Sequence, residues 1–201
     1  MTKPTPRRPI MPGAGLFESL PSLHDPAALA EVAHRTAALL VRGAQNSDDE
    51  EVVQRVTKLA DDYGLDQLAD LWSESPADSL PGVLWRLYLI RSWVHAHAET
   101  VACEYTAGRD HAEVQAVIAG VADPPGPDEV RDMVDAVLRG VAAGDFATTL
   151  DRASAFARIV ATGRAHIADD GHEQIRSASK LLEMADQLQS AARAERAGNL
   201  W

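Results

Sequence analysis

Cysteine and long apolar runs are scarce in this 201-residue chain. The one cysteine, Cys103, excludes a disulfide within the chain, and a lone thiol is typical of a protein from a reducing compartment. The most hydrophobic run, 83–90, contains Arg86 and is far shorter than the roughly 20 residues that a bilayer-spanning helix needs. We therefore expect a cytoplasmic protein with no membrane contact.

Catalytic and metal-binding signatures are missing as well. The chain has no glycine-rich phosphate loop, no nucleophile elbow and no pair of cysteines at metal-binding spacing. Glu31 and His34 have the spacing of a di-iron ligand motif, but such bundles need that motif twice and the sequence holds it once. These absences favour a protein that is not an enzyme, with no metal and no cofactor.

Aromatic residues make up only 5% of the chain, whereas apolar residues as a whole make up 46%. The core must therefore consist mainly of aliphatic side chains, and alanine and leucine are good helix formers. Apolar residues recur with the period of helices, and no strand-like alternation of useful length occurs. The sequence predicts an all-α protein, an irregular bundle of about seven or eight helices with no sheet.

Proline divides the chain. Residues 1–22 contain five prolines and no periodicity, and we interpret them as a flexible arm. We predict that residues 23–201 form a single helical domain, and a segment of this length is ordinary for one domain. A proline-rich stretch at 122–128 interrupts that domain and is a candidate hinge between two helical layers.

Capping residues mark several helix boundaries. Asp25 before Pro26 predicts a helix start, Gly43 predicts the end of that helix, and Asp145 predicts a restart. A last helix is predicted over about 173–197. Its apolar stripe is predicted to be Ile175, Leu181, Leu182, Met184, Leu188 and Ala192.

The most apolar segment begins after Ser79. We expect one central buried helix there, at about 80–106, because its first half is apolar nearly all the way round. Its aromatic and basic residues have two interpretations. Either the rings belong to the core and the arginines pair with the acidic hairpin within residues 48–78, or these residues line an interface. The interface interpretation predicts a homodimer. The residues concerned are Trp85, Arg86, Tyr88, Arg91 and Trp93.

Negative charge is concentrated in one segment. Residues 48–78 hold ten acidic residues against two basic ones, which leaves −8 of the chain's net charge of −11. Such a surface repels phosphate backbones and argues against nucleic acid, even though 59–72 has the outline of a helix-turn-helix. We expect it to contact a basic protein partner. The predicted interaction residues are Asp61, Asp62, Asp66, Asp70 and Glu74.

A polar stripe is the alternative candidate site. Arg91, His95, Glu99 and Cys103 are four residues apart, so on one continuous helix they stack on the same side. They form either a ligand or acid–base site, in which case the protein is a small-ligand binder or an enzyme, or a satisfied polar seam. Arg164 with His166 is an anion-cradle candidate, although basic residues also favour helix C-termini.

The segments LPGVLWRLYLIRSWV and ATGRAHIAD, on an alanine-rich background, resemble small helical proteins of high-GC bacteria. That resemblance implies an all-helical fold and carries no functional residue. The leading hypothesis is therefore a non-enzymatic interaction module. The polar stripe is the second hypothesis, and a nucleic-acid-associated regulator using the arm around Arg7 and Arg8 is the third.

Overall fold

The computed structural model describes residues 26–43, 65–109, 111, 128–129, 131–132, 135, 145–168 and 171–201. Six α-helices lie in these ranges, and α1 continues into a π-helical turn at Leu39–Gly43. The helices are α1 Pro26–Ala38, α2 Leu65–Trp72, α3 Leu80–Ala96, α4 Ala98–Arg109, α5 Phe146–Ile167 and α6 His172–Arg196.

No strand occurs in the described ranges, which confirms the all-α prediction. The count of seven or eight helices stays a prediction, because long stretches of the chain, among them 44–64 and 112–127, lie outside the described residues. The arm at 1–22 and all but the last residue of the hinge at 122–128 also lie outside the described residues. None of the described helices combines the length and the apolar character that crossing a membrane requires.

Ser79 and Asp145 start helices where expected, whereas the third predicted N-cap, Asp25, lies outside the described residues. The Ser79 hydroxyl accepts a hydrogen bond from the Gly82 N–H at 3.3 Å at the start of α3. At the start of α5, Asp145 Oδ1 accepts from the Ala147 N–H at 3.0 Å. A further hydrogen bond, from the Thr148 hydroxyl, helps to keep the pKa of the Asp145 carboxyl below its ordinary value. Each cap satisfies an N–H that the helix itself leaves without a partner.

The prediction of one central helix at 80–106 is wrong in one respect, because the structure has two helices there, α3 and α4. The chain leaves helical geometry at His97 (φ −134°, ψ 34°), whose N–H still bonds back to Trp93 O. α4 starts directly afterwards and buries Val101 and Tyr105. Since neither glycine nor proline lies at the break, we attribute it to packing: the new direction lets α4 lie against α5.

α5 is the most buried helix, with 13 of its 22 residues buried. It packs antiparallel to α6, because contacts that move forward along α5 move backward along α6. Asp151 pairs with Arg196 near one end, and the Ser154 hydroxyl donates to Ala185 O at 2.7 Å nearer the middle. The hydrophobic core of the described residues therefore centres on α5.

The stripe predicted for the last helix is only partly right. Leu181, Leu188 and Ala192 are buried as expected, whereas Ile175 and Leu182 are exposed. Small side chains decide the buried face instead, since helices that pack closely need small residues along the contact. The residues that α6 buries are Ala178, Leu181, Ala185, Leu188, Ala191 and Ala192.

α4 and α5 touch backbone to backbone. A Cβ added to Gly163 would lie 1.7 Å from Glu104 O, and one added to Gly108 would lie 1.9 Å from Ile159 O. Real Cβ atoms do not approach carbonyl oxygens so closely. The crossing of these two helices therefore depends on glycine at both positions.

The chain end is tied to the rest of the bundle. Gly198 adopts φ 69° and ends α6: its N–H donates to Glu195 O and the Asn199 N–H donates to Ala194 O, the pattern of a Schellman motif. Arg42 pairs with Glu195, and Leu80 N–H bonds to Trp201 O at 3.2 Å. These contacts bring the ends of α1 and α6 to the start of α3.

Candidate functional site

The predicted polar stripe is divided by the break at His97. Arg91 and His95 lie on α3, whereas Glu99 and Cys103 lie on α4 and are both exposed. Stacking of all four side chains would need one continuous helix, so the geometric premise of the stripe does not hold. Within the described residues, no group of three or more His, Cys, Asp or Glu side chains could hold a metal ion.

Arg91 and His95 meet at a carboxylate from another part of the chain. Arg91 Nε donates to Asp135 Oδ1 at 2.8 Å, and His95 Nε2 lies 3.0 Å from the same oxygen. Burial raises the pKa of the Asp135 carboxyl, but the hydrogen bonds from His95 and Arg91 lower it by more, so its pKa lies below the ordinary value. Arg91 therefore pairs with Asp135, and the predicted pairing with the acidic hairpin is wrong for this residue.

This three-residue cluster predicts a loss of stability in acid. A carboxylate with a lowered pKa stabilises the fold above its ordinary pKa of 3.8, and that contribution disappears as the pH falls through the lowered value. We expect Asp135→Asn to lower the free energy of unfolding by about 1 kcal/mol at pH 6, since all three side chains are partly exposed. The difference should disappear as the pH falls below the lowered pKa of Asp135.

Urea unfolding of the parent and the variant across this pH range measures the effect. Asp128→Asn is the control, because Asp128 is exposed and, among the described residues, pairs only with Arg131 one helical turn away. A gap between parent and Asp135→Asn that does not change with pH would contradict the assignment.

The acidic surface is described only in part. Asp61 and Asp62 lie outside the described residues, and only the backbone of Asp66 is described. Asp70 is exposed at the end of α2, and Glu74 is exposed in the turn that follows. Two of the five predicted interaction residues are thus accessible on the part of the chain that the structure shows.

The turn after α2 forms one wall of a groove that the sequence did not reveal. The groove has a volume of about 540 Å³, and α6 forms its other wall. Three carboxylates and no cation lie among its lining residues. These are Ala77, Asp78, Glu183, Asp186, Gln187, Ser190, Ala191 and Ala194.

Three arginines touch this groove from its edges, and one of them, Arg193, donates from Nη2 to the Ser190 hydroxyl at 3.1 Å. Arg158 pairs with Asp186, and Arg86 Nε donates to the Gln187 side chain. Burial lowers the pKa of the Arg86 guanidinium, and the charges of Glu183 and Asp78 offset part of that lowering. Among the described residues, Asp78 and Glu183 form no ion pair, so two carboxylates of the lining are not neutralised by direct contact.

A buried ion pair lies at the other end of α5. Arg164 Nε and Nη2 donate to the two oxygens of Glu104 at 2.8 and 2.9 Å. Arg164 Nη1 also donates to the Ser177 hydroxyl at 2.7 Å, and the guanidinium lies 4.9 Å from the centre of the Trp93 ring. The sequence analysis identified Arg164 as a candidate but not Glu104. The only sequence feature that could have indicated Glu104 is its position between two apolar residues of a helix.

Comparison of the chain with protein-family models, with curated proteins and with solved structures finds no match.

Proposed function

We propose that this protein acts by binding a basic segment of a partner protein, and that the acidic groove between α6 and the turn at 73–79 receives it. The observation that carries the proposal is the position of Asp78 and Glu183 on opposite walls of one concavity. A single arginine or lysine side chain between them would contact both carboxylates.

The apolar surface of the groove supports the same proposal. Ala77, Ala191 and Ala194 line it with small apolar side chains, which leave room for the aliphatic stem of a lysine or arginine. Asp70 and Glu74 precede this wall in the chain and extend the negative charge beyond the groove. Opposite charge accelerates encounter and suppresses acidic partners, so this surface favours a binding role.

A labelled peptide of alternating arginine and alanine tests the proposal by fluorescence anisotropy. We expect Glu183→Lys to weaken binding at least about fivefold, because it replaces attraction by repulsion at the groove wall. Affinity should also fall as salt rises from about 50 to about 500 mM.

Glu31→Lys provides the matched control. Glu31 is exposed on α1, and its reversal changes the net charge of the protein by the same amount. Equal effects of the two reversals, or an affinity that ignores salt, would contradict the groove as the binding site.

The homodimer expected from the sequence stays a prediction. Leu29, Val32 and Leu39 are exposed along α1 and its π-helical turn, and Trp201 is 82% exposed although its backbone is tied to α3. Exposed apolar side chains at helical spacing are compatible with a second copy covering this face. The arm around Arg7 and Arg8, on which the nucleic-acid hypothesis depends, lies outside the described residues.

A further inference from the structure

A second concavity lies where α3, α5 and α6 meet. It is an open cleft of about 280 Å³, and none of the acidic groove's residues line it. Most of its wall is apolar, which is the usual character of a small-molecule site. The apolar lining consists of Leu89, Ile90, Trp93, Leu181 and Met184. Methionine adapts its shape to a ligand more readily than branched side chains do.

The polar part of the cleft is held rigidly. Arg164 lines it, and Glu104, Ser177 and the Trp93 ring all fix the guanidinium in place. Its side chain is 13% exposed, so part of it remains accessible. A guanidinium has five N–H groups, and only three of those on Arg164 donate to described residues. Two donors are therefore left in a side chain whose orientation is already set.

The charge at this cleft is positive. Glu104 neutralises Arg164, but Lys180 also lines the cleft and forms no ion pair with any described residue. The net charge of the three is therefore +1, whereas the chain as a whole carries −11. Arg176 and Glu183 lie one turn from Lys180 on α6 and offset each other, and salt at about 0.1 M screens charges beyond about 10 Å. The local cation decides which ligands are attracted.

We propose that this cleft binds a small organic carboxylate with an apolar body, on the order of ten non-hydrogen atoms in size. The carboxylate accepts hydrogen bonds from Lys180 and from the remaining Arg164 donors. The apolar body lies against Leu181 and Met184. The site is separate from the acidic groove and does not depend on the binding of a basic partner there.

The full chain with 3-phenylpropionate as the probe tests this proposal, and the uncharged 3-phenylpropanamide has the same shape. Calorimetry is expected to give a dissociation constant of about 1 mM or below for the acid, and at least fivefold weaker binding for the amide. The methyl resonance of Met184 should shift with the acid. Equal affinities would overturn the proposal, as would no binding of either compound at about 10 mM.

Two variants locate the anion. Lys180→Gln is expected to weaken binding of the acid about fivefold and to leave binding of the amide unchanged. Arg193→Gln removes one positive charge from an exposed position further along the same helix, and it should have no effect on either compound. An unchanged affinity for the acid in Lys180→Gln, or an equal loss in Arg193→Gln, would place the anion elsewhere and overturn the assignment.

Discussion

Gly163→Ala is expected to lower the free energy of unfolding by about 3 kcal/mol, the upper end of the usual cost of overpacking. The new methyl group would lie 1.7 Å from Glu104 O. The methyl carbon is bonded directly to the backbone of α5 and the carbonyl is part of the backbone of α4, so neither atom can rotate away. Either α4 or α5 must therefore move. Elsewhere in a helix the same substitution is stabilising, by roughly 0.5–1 kcal/mol, because glycine loses more entropy on folding.

Chemical denaturation of the parent and the variant measures this difference. Gly108→Ala should behave in the same way, since its methyl group would meet Ile159 O at 1.9 Å. Gly171→Ala is the matched control: its methyl group meets only the end of the flexible Gln174 side chain, and its φ of −73° suits alanine. Because Gly171 is the N-cap of α6, where alanine is less favourable than glycine, we expect a loss of at most about 1 kcal/mol there. If Gly163→Ala were as stable as the parent, α4 and α5 would have to lie further apart than the structure places them.

The second large effect is expected from the buried ion pair. Glu104→Gln keeps the shape of the side chain but leaves the Arg164 charge without its partner. The two side chains are 11% and 13% exposed, so water replaces the lost contact only in part. Breaking a buried pair typically costs 3–5 kcal/mol, and we expect about 3 kcal/mol because Ser177 and Trp93 still contact the guanidinium.

Removing both charges should restore most of this loss. Glu104→Leu combined with Arg164→Met leaves no uncompensated charge, and apolar replacements of buried pairs are often neutral or stabilising. Glu31→Gln is the control, because Glu31 and Arg35 form an exposed pair at 3.8 Å whose loss should cost at most about 0.5 kcal/mol. Equal losses in the two glutamine variants would show that solvent reaches Glu104 freely.

The long-range contacts of this protein had only weak signals in the sequence. Glu104 and Arg164 are 60 residues apart, and nothing in their spacing pairs them. A glycine inside a helical pattern indicates that another backbone approaches closely. Gly108 and Gly163 fit that rule, but they do not identify each other as partners. Asp135 likewise joins Arg91 and His95 across about 40 residues of chain.

The amino-acid sequence alone was sufficient for the helical class and for the helix starts at Ser79 and Asp145. Periodicity and capping act within a few residues, so both can be predicted locally. Tertiary packing decided the break at His97, the alanine-lined face of α6 and the two concavities, because each depends on which helices meet. The concentration of acidic residues was evident from composition, but the groove formed when the turn at 73–79 packed against α6.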